Sequence, residues 1–169
     1  LNGPALLGDH ANDVWIDRSL SPKDRTRVEK EAIAIFKAHP QVEAVFTARQ
    51  IARVQVPTGA PDKWSILQRI RASFDQKRSG DIYVVLKKEV SPIVKPSAGF
   101  VATHGSVWDY DRRVPILFYR KGGPASDRQD HVSTVNILPT VAAEIGLALP
   151  TQLDGRCLNG VEGVACPVR

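Results

Sequence analysis

Methionine is missing from all 169 residues, and cysteine occurs only twice. A chain without methionine is not a complete translation product as it leaves the ribosome, so a removed leader or a longer parent polypeptide is expected upstream. Aromatic residues make up only 7% of the chain. No apolar run approaches the roughly 20 residues that a membrane-spanning helix needs, and Leu1 to Pro4 have neither the basic region nor the apolar stretch of a signal peptide. No membrane partner is expected. What is present folds: 43% apolar and 24% charged residues, with twelve glycines and twelve prolines, argue against disorder. A chain of this length closes as one domain or two small ones and buries roughly 70% of its unfolded surface.

The basic residues outnumber the acidic ones by 23 to 18, a net +5 with four neutral histidines. Such a balance suits anionic partners in general. A nucleic-acid reader concentrates its lysines and arginines on one stripe with exposed aromatics between them, whereas here they are scattered singly and in pairs. An RNA-binding ferredoxin-like fold would need aromatics on its central strands, and Tyr83 is the one candidate, so no nucleic acid is expected. Cys157 and Cys166 form no Cys-x-x-Cys pair and have no neighbouring histidine, which disfavours a zinc knuckle. A disulfide between them would restrict the unfolded chain by about 2 to 3 kcal/mol on the loop-entropy model and would place the protein in an oxidising compartment, periplasmic or secreted. The alternative is two free thiols in a cytosolic protein.

Periodicity divides the chain near residue 95. Val14 to Ile16 reads as a short strand. Ser21, Pro22 and Asp24 then make a helix start, with a capping hydroxyl, a proline in the first turn and a carboxylate three residues past the cap. Val28, Ala32, Ile35 and Phe36 recur at helical spacing until His39-Pro40 ends the pattern. Val42 to Thr47 is a second strand. A loop containing Pro57, Gly59 and Pro61 leads to an amphipathic helix around Trp64 to Phe74, with Ile66, Leu67, Ile70 and Phe74 inward. Asp81 to Lys87 is a nearly continuous apolar strand, as expected for one covered on both faces or lying mid-sheet. The order is β-α-β-α-β. Ser91 to Gly99 is a boundary or long connection. Beyond it, Thr103 to Ser106 is a loop, Val114 to Tyr119 a strand, and Lys121 to Pro124 a turn. Ser133 or Thr134 then caps a helical region that Pro139 splits into two pieces and Gly146 terminates.

His104 is the most informative residue. Gly105 beside it lets backbone approach a bound ion or phosphate closely, Thr103 and Ser106 add hydroxyls, and Asp109 and Asp111 follow within a few residues. Zinc takes a neutral imidazole nitrogen, and the other ring N–H of such a histidine is usually held by a carboxylate, a role open to Asp109 or Asp111. A hydrogen-bonded loop histidine with no metal is the plain alternative.

The run Gly99 to Tyr119, Gly-Phe-Val-Ala-Thr-His-Gly-Ser-Val-Trp-Asp-Tyr-Asp-Arg-Arg-Val-Pro-Ile-Leu-Phe-Tyr, resembles the segment of bacterial alkaline phosphatases that supplies a late zinc-ligand histidine. Those enzymes are close to the type I phosphodiesterase and nucleotide pyrophosphatase branch of the same superfamily. Val132 to Gly146 is similar to the family's Val-Asp-Ile-Ala-Pro-Thr-Leu helix, with Asn136 in place of the aspartate, and Leu153 to Arg156 to its closing Asp-Gly-Arg. Arg78 to Asp81 is a weaker fourth match. The resemblance runs over about residues 13 to 158, closest from 99 onward.

The resemblance implies an α/β fold in which residues 96–169 form the C-terminal part of an alkaline-phosphatase-like α/β/α sandwich and residues 1–95 a small β-α-β-α-β accessory subdomain. It implies a zinc-dependent phosphate-ester hydrolase, a phosphomonoesterase first and a phosphodiesterase second, acting on small phosphate-ester substrates. Two zinc ions are expected in the complete enzyme, held by seven protein ligands of which only His104 aligns here. The remainder of the same polypeptide, upstream, must then supply the others, and this chain alone is expected to be incomplete and inactive. Asp127 and His131 have the family's Asp-x-x-x-His spacing, but they fall after His104 and read as a coincidence. Asp9-His10 copies the family's Asp-His pair but lies too close to the first strand and is followed by Ala11 rather than glycine. From a different class, a free-standing non-catalytic α/β binding module would account for the same elements.

Overall fold

The computed structural model of the chain describes residues 4–8, 12–93, 99, 102–123, 125–159, 161 and 164–166. In chain order the described elements are β1 (Leu6–Leu7), β2 (Asp13–Ile16), α1 (Pro22–Ala38), β3 (Val42–Thr47), α2 (Ala48–Ala52), α3 (Ile66–Ser73), β4 (Ile82–Leu86), α4 (Asp109–Arg112) and α5 (Ile137–Glu144). They gather into two units, Leu1–Arg113 and Val114–Arg169. The fold is mixed α/β.

The first unit is built on a four-stranded sheet of order β1-β2-β4-β3, antiparallel at every pairing. β4 is therefore interior, and its side chains alternate between two cores, as period-2 geometry requires. On one face Ile82 and Val84 join Ile16 and Val45 against Val28 and Ala32 of α1. On the other, Val85 meets Ile51 of α2, Ile70 of α3, Val107 and Trp108. The apolar run at Asp81 to Lys87 thus reads as it should for a strand covered on both faces.

Local signals set the helix ends. The Ser21 hydroxyl accepts from the Asp24 amide, Pro22 opens α1, and the His39 amide closes it on the Phe36 carbonyl. Ile35, expected on the apolar stripe, is 70% exposed. The buried arc of α1 runs from Val28 through Ala32 and Phe36 towards Ile33, and Ile35 lies at its other edge, about 160° from Ile33 and just outside Val28. Helix α2 is an element that periodicity does not announce, because it is a single short turn. It forms through a capping box in which Thr47 and Gln50 satisfy each other's backbone amides, and it carries the buried Ile51. The same device, Ser65 with Gln68, starts α3.

The Arg78 to Asp81 segment is the joint of this sheet. The Gly80 amide donates to Asp13 at 2.6 Å, and a Cβ at Gly80 would come within 2.8 Å of the Val14 backbone. Asp81 accepts from the Ile16 amide and pairs with Arg18 at 3.1 Å. Glycine and aspartate are needed there for packing of β2 against the start of β4.

Among its described residues the second unit has little regular structure. Val114 to Tyr119, expected as a strand, forms none: no described strand lies beside it to complete a ladder, and Leu117 and Tyr119 are 85% and 93% exposed. The helical region does split in two, a 3-10 turn at Thr134–Asn136 followed by α5, with Pro139 in the first turn of α5 and Gly146 at φ +66° just beyond its end. Thr140 is fully buried; its hydroxyl donates to the Asn136 carbonyl and accepts from the Leu158 amide. The Asn136 side chain accepts from the Arg156 amide at 3.0 Å. Cys157 and Cys166 are joined by a disulfide.

Two substitutions weigh the interior of the sheet against the apolar surface. Ile82→Ala should lower the unfolding free energy by about 2 to 5 kcal/mol in urea titrations, because a fully buried side chain leaves a cavity. Leu117→Ala should change it by no more than about 0.5 kcal/mol.

Candidate functional site

His104 lies in an exposed loop of the first unit. Its neighbour Gly105 has φ +106°, a left-handed conformation that a side chain would strain. The backbone after it is held from several directions. Asn12 donates from its side-chain amide to the Gly105 carbonyl at 3.3 Å, and the Ser106 amide donates to the Asp111 carboxylate at 2.6 Å. The Trp108 amide donates to the Ser106 hydroxyl, and its indole N–H reaches the Leu86 carbonyl at 3.0 Å. Lys88 stacks over the same ring, 5.4 Å from its centroid. From α3, Arg69 donates to the Val107 carbonyl at 3.0 Å and pairs with Asp109 at 3.2 Å. The Glu89 amide donates to the Tyr110 hydroxyl. A loop of this sequence would otherwise sample many conformations; here it is tied to the ends of β4 and α3.

The two carboxylates near His104 have different work. Asp109 is paired with Arg69 and Arg112. Asp111 faces the His104 turn. Burial pushes its pKa up, but the Ser106 amide and hydroxyl, the Gly105 amide and the positive charge of His104 together hold its carboxyl below the usual carboxylate range. Of the two, Asp111 is the carboxylate bonded to the backbone that follows His104.

Beside this loop a cavity of about 210 Å³ is lined by Asn12, Asp13, Ser73, Ser79, Tyr83 and Gly105 among others. The Tyr83 phenol is pushed up to about 12, first by burial and then by the neighbouring Asp13 carboxylate, so it stays a neutral hydroxyl at any physiological pH.

Among the described residues no three His, Cys, Asp or Glu side chains come together as a metal cage. His104 can offer one nitrogen, and a metal ion here would need its other ligands from elsewhere. Asp127 and His131 have partners of their own: Asp127 accepts from Gln129, and His131 acts on Asp130, which is held by Arg128. Asp9 and His10 lie outside the described residues. Sequence reasoning singled out His104, Asp109 and Asp111 but not Arg69 or Asn12, which reach the loop from 38 and 93 residues away in sequence. No local pattern could have found them.

No family model matches the sequence. Individual proteins do: it is 49% identical over 155 residues to alkaline phosphatase PhoK of a Sphingomonas species, covering 90% of this chain. It is 41% identical over 172 residues to alkaline phosphatase PhoD of Zymomonas mobilis, covering 99% of this chain, and 25% identical over 154 residues to alkaline phosphatase PafA of Elizabethkingia meningoseptica, covering 89%. The chain is a homologue of bacterial alkaline phosphatases. It spans 28% of the length of the first of these relatives, 30% of the second and 26% of the third. This alkaline phosphatase homologue therefore carries a contiguous piece of the relatives' sequence, and the motif residues described above fall within the matched span.

Tyr83 gives a pH test of the cavity. Its phenol should ionise near pH 12 in a spectrophotometric titration at 295 nm, and Tyr83→Phe should remove that late phase. Because its folded-state pKa lies above the unfolded value near 10, the protein keeps its full Tyr83 contribution below pH 10 and loses stability as the pH rises from 10 through 12. Denaturant midpoints measured across that window check the sign.

Proposed function

We propose that this chain is the C-terminal part of an exported, zinc-dependent alkaline phosphatase that hydrolyses phosphate monoesters, and that His104 is its contribution to the metal centre. The observation that carries the reading is an exposed imidazole beside a left-handed glycine, on a loop fixed by Asn12, Arg69 and Asp111, in a sequence 49% and 41% identical to two named alkaline phosphatases.

Several features support the rest of the reading. Residues 96–169 would complete an α/β/α sandwich core and residues 1–95 would flank the cleft. α5 and the residue after it leave Ile137, Leu138, Val141 and Ile145 between 39% and 66% exposed, the kind of surface that further polypeptide of the same protein would cover. The Cys157–Cys166 disulfide suits the periplasm or the medium, since such bonds persist in oxidising compartments.

Bound zinc would polarise phosphoryl oxygens and favour a nucleophilic oxygen at neutral pH. This chain's own residues would do less dramatic things. His104 would offer a ring nitrogen, Asp111 would hold the turn through the Ser106 amide, Gly105 would leave room for the phosphate, and a net charge of +5 would favour an anionic substrate.

The test uses the longest polypeptide that carries this sequence. His104→Ala should reduce p-nitrophenyl phosphate turnover by more than about 100-fold and lower zinc content, because losing a direct ligand costs more than the loss of a hydrogen-bond partner behind it. Undiminished zinc and turnover in that variant would refute the assignment.

A further inference from the structure

Resting on the reading of His104 as a metal ligand, we infer that Arg69 is the positioning residue that fixes the ligand loop, acting from α3 without touching metal or substrate. One planar guanidinium serves three partners. Its Nε donates to the Trp64 carbonyl at 2.9 Å, one terminal nitrogen donates to the Val107 carbonyl at 3.0 Å, and the fork pairs with Asp109 at 3.2 Å. The Arg69 side chain is only 11% exposed, so its bonds to the two backbone carbonyls are largely shielded from water, while its partner Asp109 stays open to solvent.

The geometry explains how this residue acts on the loop that carries the imidazole. Val107 is three residues beyond His104, and between them the Gly105 carbonyl is held by Asn12 and the Ser106 amide by Asp111. Asp111 is itself on α4, whose first residue, Asp109, is the carboxylate paired with Arg69. Arg69 thus holds the outgoing end of the turn and the base of the short helix that carries Asp111. It stands on a rigid support: α3 is capped by Ser65 and Gln68 and anchored by the buried Ile70 next to Arg69. Lysine cannot reproduce the arrangement, because an ammonium is a point charge and not a fork. A ligand held off its productive direction binds metal less tightly, and loss of a supporting partner typically costs roughly 10- to 100-fold in affinity.

Arg71 supplies a matched control. It lies on the same helix and also donates from Nε to a backbone carbonyl, that of Val54, which is no part of the His104 loop. In the full-length polypeptide, Arg69→Gln should weaken zinc binding by about 10- to 100-fold in chelator competition, with Arg69→Lys partly restoring it. Arg71→Gln should leave zinc affinity unchanged. In parallel, amide hydrogen exchange at residues 105–108 of the metal-free chain should speed up in Arg69→Gln and not in Arg71→Gln. The inference is overturned if both variants weaken zinc equally, which would report general loosening of α3, or if Arg69→Gln and Arg69→Lys keep wild-type affinity while His104→Ala loses zinc. Retention of zinc by His104→Ala would instead sink the reading of His104, and this inference with it.

Discussion

Strand β4 has neighbours on both edges and apolar side chains on both faces, and the first unit depends on that double burial. Ile82 and Val84 give α1 something to cover, and Val85 gives α2 and α3 something to cover, so one short segment sets the positions of both helical layers. The His104 loop inherits the arrangement. Trp108 is buried in the second cluster and bonded to the last carbonyl of β4, and Arg69 reaches the loop from a helix packed on the same face. A shift of β4 relative to α3 would move both anchors at once, since interiors pack too closely to absorb it locally.

How much of this could be read beforehand follows from the range of the interactions. α1 was legible because Ser21, Pro22, Asp24 and His39 act within a turn of the bonds they make, and β4 because its apolar run has no other interpretation. α2 was not, since five residues are too few to show a period and its capping box begins inside the end of a strand. Val114 to Tyr119 misled in the opposite sense: branched and aromatic residues suit a strand, but a strand also needs a partner, which composition cannot reveal. At the site, the imidazole and its two carboxylates were visible as a cluster in sequence. Their division of labour was not, because it is set by Arg69, whose position relative to Asp109 depends on the whole sheet.

The sequence motifs of the second unit acquire a physical meaning once seen together. The Asn-Ile-Leu-Pro-Thr stretch and the Asp-Gly-Arg turn hold one another: Asn136 receives the Arg156 amide, and Thr140 links the Asn136 carbonyl to the Leu158 amide. An asparagine carries this out as well as an aspartate would, since the bond requires only a side-chain oxygen. The disulfide starts at Cys157, within this clasp between Arg156 and Leu158, and joins it to Cys166.

Gly155 sits at the centre of that clasp with the Val135 carbonyl directly against the place where a Cβ would stand. The backbone of one segment therefore touches the backbone of the other with no side chain between them. In a saturation library of this region even alanine at position 155 would force the two backbones apart, so steric exclusion is enough to account for the glycine of the Asp-Gly-Arg signature.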